Sequence, residues 1–173
     1  LALPVTNSFA QLKPKVQNLT RGKLWMAVHE SGSIAQLSDY NANFVYPGYY
    51  GAGGSQPRVG FICTKSGVNQ FAWYHQRFQT DVEWEVIREH ELVKNYNFVN
   101  GTGQPEEMLI YTVRTKPDFP SLGDDLARIE LTTKHMAWSL PQYDDFVISQ
   151  KTIKNVDDEE LVDFYWIWSA TGL

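Results

Sequence analysis

Four histidines, His29, His75, His90 and His135, are the side chains best suited to acid–base or metal chemistry, and they are scattered with no His-x-His pair. His90-Glu91-Leu92-Val93-Lys94 opens like the helix of a zinc protease, but Lys94 stands where the second imidazole is required. An ammonium cannot replace a neutral nitrogen ligand, so that motif is absent. A metal site would need histidines from distant segments to converge in space. No Gly-x-Ser-x-Gly elbow is present. The single cysteine, Cys63, lies in the apolar run Val59–Cys63 with no base beside it and reads as a small buried hydrophobe. One cysteine also excludes an internal disulfide and a multi-cysteine zinc site. Gly51-Ala52-Gly53-Gly54-Ser55 is glycine-dense, yet Gln56-Pro57-Arg58 and a strand follow it. A phosphate cradle needs a helix N-terminus there, so the segment reads as a surface loop.

Paired carboxylates occur at Asp124-Asp125, Asp144-Asp145 and Asp157-Asp158. Such pairs can serve as acid and base on a sugar or hold Ca²⁺, but no Asp-x-Asp-x-Asp-Gly loop accompanies them. Adjacent aspartates in turns more commonly bond their own backbone. The aromatics are more suggestive. Six Trp, nine Tyr and nine Phe make up 14% of the chain. Exposed rings would stack on the C–H faces of sugars, whereas rings between two sheets would fill a core. Asn18-Leu19-Thr20 and Asn100-Gly101-Thr102 match the N-glycosylation acceptor pattern. No residue is assigned a catalytic, cofactor-binding or metal-binding role.

These residues are carried by a chain of 173 residues, 43% hydrophobic and 20% charged, which is the composition of one globular domain. A net charge of −5 without a basic stripe argues against nucleic acid and anionic membranes as partners. No apolar run reaches the length of about 20 residues that a membrane helix requires. The Leu1-Ala2-Leu3-Pro4 start has neither an initiator Met nor the regions of a signal peptide, and reads as processed or excised.

Residues 1–22 read as an extended lead-in and 23–173 as the folded domain. From Lys23 the dominant period is two, the mark of strands with one buried face. Leu24, Met26 and Val28 begin it, and Ser31–Gln56 follows as a long Gly/Tyr-rich loop. Arg58–Thr64 and Gln70–Phe78 form an expected hairpin, and Val82, Trp84 and Val86 a half-buried strand. Met108–Thr115, Leu126–Trp138, Phe146–Lys154 and Leu161–Ser169 complete the set. In the long alternating run, Ile129, Leu131, Thr133, His135 and Ala137 share one face. The fold class is therefore all-β, an antiparallel β-sandwich of about eight strands.

Tyr143-Asp144-Asp145-Phe146-Val147-Ile148, then Thr152-Ile153-Lys154-Asn155 and Leu161-Val162-Asp163-Phe164-Tyr165, resembles a stretch in large exported bacterial surface and secreted proteins of the type IX secretion kind. Arg21–Trp25, Ser31–Ile34 and Tyr46-Pro47-Gly48 resemble their N-terminal region. The resemblance implies an exported β-sandwich, possessing no assigned active site, in which the two C-terminal segments are paired strands. The functional expectation is a non-catalytic extracellular or cell-surface protein, structural or adhesive, without a cofactor. It would associate with protein partners or with itself through strand edges and aromatic faces, with Phe164, Trp166 and Trp168 as the partner-binding residues. The alternative is a carbohydrate-binding module that stacks exposed Trp and Tyr on glycans.

Overall fold

The computed structural model describes residues 16–29, 44–46, 58–64, 72–74, 84–96, 104–116, 128–162 and 164–171. Among them the chain is all-β and has no helix, hence none long and apolar enough to cross a membrane. The strands are β1 (Val16–Leu19), β2 (Trp25–His29), β3 (Phe44–Val45), β4 (Arg58–Thr64), β5 (Ala72–Tyr74), β6 (Trp84–Lys94), β7 (Glu107–Thr115), β8 (Ile129–Ala137), β9 (Ile148–Asn155) and β10 (Tyr165–Thr171). Every pairing is antiparallel, in the orders β1-β2-β3, β10-β4-β5 and β6-β7-β8-β9. The expected β4–β5 hairpin is present, with Ile62 opposite Trp73. Within the lead-in, Val16–Leu19 is a strand paired to β2 and buries Leu19 completely.

β8 shows why alternation is readable. Ile129, Leu131, Thr133, His135 and Ala137 are all buried, and the residues between them are half-exposed. Its neighbour β7 is central and covered on both faces, so Leu109, Tyr111 and Val113 are buried together with Ile110 and Thr112. A strand covered twice shows no clean period.

β6 departs from the expected half-buried strand. Trp84 is buried, but Val86 is 45% exposed. The register against β7 shifts between Val86 and Arg88 and again between Arg88 and Glu91. Each irregularity breaks the ladder and turns the strand away from its neighbour, which lifts Val86 off the core. Leu92, beyond the irregularities, packs against the core again.

β9 and β10 are not paired with each other, contrary to the hairpin that the resemblance implies. β9 pairs with β8, Leu131 opposite Ile153, and β10 pairs with β4, Trp168 opposite Phe61. The connection begins as a turn closed by its own side chains. Asp157 N donates to Asn155 Oδ1 at 2.9 Å, and Asn155 Nδ2 donates to Glu159 O at 2.7 Å. Such a turn redirects the chain after β9 instead of folding it straight back.

One apolar cluster joins Leu19, Met26 and Val28 to Trp84, Leu109, Tyr111, Val113, Ile129, Leu131 and Ala137. β1 and β2 thus share one apolar core with β6, β7 and β8. Burying an aliphatic side chain of this size contributes roughly 1.5–3 kcal/mol.

Candidate functional site

The inner face of the four-stranded sheet is apolar at one end and polar in the middle. Cross-strand register places Tyr111 of β7 opposite Thr133 of β8, Thr133 opposite Lys151 of β9, and His135 opposite Ser149. These residues share a face because alternate residues of a strand point the same way. His135 Nδ1 lies 2.7 Å from Ser149 Oγ, and its Nε2 lies 3.4 Å from the Tyr111 hydroxyl. Lys151 Nζ donates to Thr133 Oγ1 at 3.4 Å. The His90 ring meets Tyr111 edge-on, with centroids 4.5 Å apart. Tyr111, Thr133 and His135 are fully buried, whereas Ser149 and Lys151 stand half-buried on the outermost strand.

Burial sets the protonation of this row. It pushes the His135 imidazole down to about 3, helped by the nearby charges of Lys151 and His90. Burial likewise pushes the Lys151 amine down to about 8. Both effects have one origin, since a charged group loses its hydration in a low-dielectric site. The row therefore holds a neutral imidazole at physiological pH and an amine that begins to deprotonate there.

A second polar assembly closes one corner. Glu107, 1% exposed, accepts the backbone N–H of Thr20 at 2.7 Å and of Arg21 at 3.0 Å through Oε2. Its Oε1 accepts a hydrogen bond from the Tyr96 hydroxyl, whose pKa is thereby raised to about 12. Glu106 accepts Arg21 Nε at 2.6 Å and Ser139 N at 2.7 Å. The Arg21 hydrogen bond, opposed by desolvation, holds the Glu106 carboxyl below its usual range. The Arg21 guanidinium also lies over the Tyr96 ring, 5.1 Å from its centroid. Lys23 Nζ lies 3.1 Å from Asp144 and 3.2 Å from Asp145, and its backbone N–H donates to Asp144 O at 2.6 Å. The corner fastens residues 20–24 to the ends of β7 and β8 and to the turn before β9.

The residues singled out in the sequence fall as follows. Among the described residues His90 and His135 flank Tyr111; His29 ends β2 with its side chain outside the described part, and His75 lies outside the described residues. Among the described residues no three metal-binding side chains cluster. Asp144-Asp145 is occupied by the Lys23 ammonium and the Tyr46 hydroxyl, the latter 3.0 Å from Asp145. Asp157-Asp158 forms turn hydrogen bonds, with Asp158 N on Asp157 Oδ1 at 3.0 Å. Asp124-Asp125, Gly51–Ser55 and Asn100 lie outside the described residues, while Asn18 is exposed on β1. Cys63 sits on β4 opposite Trp166.

Phe164 is half-buried and packs against the core cluster. Trp166 and Trp168 lie on β10, which pairs with β4 without a register break; their side chains are outside the described part. The described aromatic surface is elsewhere. Tyr143 and Phe146 are 46% and 41% exposed, and their rings stand edge to face at 6.0 Å. Trp138 adjoins Tyr143 at 6.1 Å, and its indole N–H donates to Gln104 O at 3.0 Å.

The His135–Ser149 contact and the Glu107 corner were missed in the sequence because both join segments that no local pattern connects. Comparison of the chain with protein-family models, with curated proteins and with solved structures gives no match.

Proposed function

We propose that the chain is a non-catalytic structural or adhesive β-sandwich that associates through its sheet edges and aromatic faces, as a subunit of an assembly at the cell surface or outside it. The observation that carries this reading is the contrast among strand edges. β6 is interrupted by register shifts, and β9 turns Lys151 toward the inner face. Bulges and inward-pointing charges are the usual means of keeping an edge from pairing with another chain. β10 has neither. It pairs with β4 over seven residues, from Phe164 to Leu173 there is no charge and no proline, and among the described residues its other side meets no strand. Strand addition at β10 draws affinity from backbone hydrogen bonds and Trp166 and Trp168 supply specificity, while Phe164 anchors the approach to the strand on the core. The extracellular setting rests on the resemblance of residues 143–165 to exported bacterial proteins.

The test is sedimentation of the chain over a wide concentration range. The wild type is expected to associate, and Trp166→Ser with Trp168→Ser to remain monomeric. A wild type that stays monomeric at every concentration overturns the proposal.

A carbohydrate-binding role is the second reading, favoured by the exposed Tyr143 and Phe146 rings beside Trp138. It requires polysaccharide to quench the tryptophan fluorescence, and a Tyr143→Ala, Phe146→Ala variant to lose that response.

A further inference from the structure

We propose that β9 is a detachable guard of the sheet margin, and that protonation of His135 on β8 releases it in acid and bares β8 as a pairing edge. The strand is lightly held. None of its eight residues is buried, and Ile153, opposite the fully buried Leu131, is 38% exposed. Its neighbour β8 buries Ile129, Leu131, Thr133, His135 and Ala137. Among the described residues β9 meets a strand on one side only. Val147 before it and Leu161 after it pack against the core, so both ends are anchored and the strand between them rests on its ladder to β8. A segment with so little buried apolar surface opens at low free energy. The β8 edge beneath it runs from Ile129 to Met136 without a register shift.

His135 couples this opening to acidity. Its ring is fully buried, with Nδ1 2.7 Å from Ser149 Oγ on β9 and Nε2 3.4 Å from the Tyr111 hydroxyl. Among the described residues, the titratable groups facing it are Tyr111 of β7, His90 of β6 and Lys151 of β9. β1 and β2 bring only the apolar Leu19, Met26 and Val28 to the same core. No carboxylate is in that set, and Lys151 is a cation, so an imidazolium would be buried against a like charge. Burial first, then Lys151 and His90, accordingly hold the ring down to about 3. When β9 swings out it takes Ser149 and Lys151 with it and admits water to that flank of the ring. The imidazole then titrates near its ordinary 6.5. Below that value the open form binds a proton that the closed form refuses, and acid drives the strand outward. Lys151, held down to about 8, changes its charge above this window.

The experiment is amide hydrogen exchange of the whole chain, followed by NMR at pH 7.5 and pH 5, with each rate divided by the intrinsic rate at that pH. The β9 amides that bond β8 are expected to be less protected than those of β7 at both values. Their protection is expected to fall roughly thirtyfold at pH 5, the proton-binding factor of an imidazole titrating at 6.5. His135→Gln keeps an amide between Ser149 and Tyr111 and is expected to retain β7 protection while β9 loses its acid response. The wild-type comparison decides the matter even if that variant does not fold. Equal protection of β7 and β9, which means that they open together, or β9 protection that does not change with pH, overturns the proposal. A folded His135→Gln variant that keeps the full acid response overturns it as well.

Discussion

His135 and Ser149 face each other across β8 and β9 with Nδ1 and Oγ 2.7 Å apart, and this contact ties a fully buried imidazole to the last strand of the sheet. Because burial holds that imidazole down to about 3, the unfolded chain binds a proton near 6.5 that the folded chain refuses. Stability is then fully present above the unfolded value and is lost as pH falls toward 3. Between pH 6.5 and 5 the expected loss is about 1.5 kcal/mol from this group alone. Urea unfolding across that interval checks it, and His135→Gln is expected to flatten the slope. Glu106, whose carboxyl lies below its ordinary 4.5, adds a second loss in the same direction only at lower pH.

Glu107, itself buried, bonds three donors at the edge of the core: the Thr20 and Arg21 amides and the Tyr96 hydroxyl. Glu107→Ala leaves all three without their acceptor and is expected to cost about 3 kcal/mol. Tyr96→Phe removes one donor while keeping the ring under Arg21, and is expected to cost about 1 kcal/mol. Denaturant midpoints of the two variants give the comparison, and equal effects would mean that the backbone amides contribute nothing.

Gly22 has φ of +87°, and a Cβ there would lie 2.5 Å from Trp138 O and 2.8 Å from Asp144 O. Both obstacles are backbone, so neither can swing aside. Gly22→Ala combines left-handed strain with that overlap and is expected to cost roughly 2 kcal/mol or more. A melting temperature within a degree of wild type would contradict the geometry.

Lys151 keeps a desolvated amine on the inner face at the expense of stability. Lys151→Leu is expected to raise stability at pH 7 by about 1–2 kcal/mol, because an apolar side chain suits that position better than a charge. Wild-type stability is also expected to rise between pH 8 and 10.5, where the folded chain has given up the Lys151 proton and the unfolded chain still holds it. Thermal unfolding reads both effects. Light scattering of the leucine variant is expected to exceed that of the wild type at equal concentration, since the inward charge protects the β9 edge.

Legibility in the sequence followed burial geometry. The inner face of β8 was readable residue by residue, because a strand covered on one side repeats every second position and nothing interrupts it. β7 gave no such face, since Ile110 and Thr112 are as hidden as their neighbours. Val86 was misplaced because the register shifts of β6 leave no mark in composition. His135 was placed on one face with Ile129, Leu131, Thr133 and Ala137, but its partner Ser149 was not found: fourteen residues and a turn separate the two, and only the β8–β9 register brings them together. The Glu107 corner is less accessible still, for it spans 87 residues with no repeat or motif at either end. Acidic pairs drew attention at Asp144-Asp145, where a lysine had already claimed the charge.

The irregular margin formed by β6 and the guarded margin formed by β9 bound the same four-stranded layer. Among the described residues that layer therefore offers no long, regular strand edge on either flank for another chain to extend.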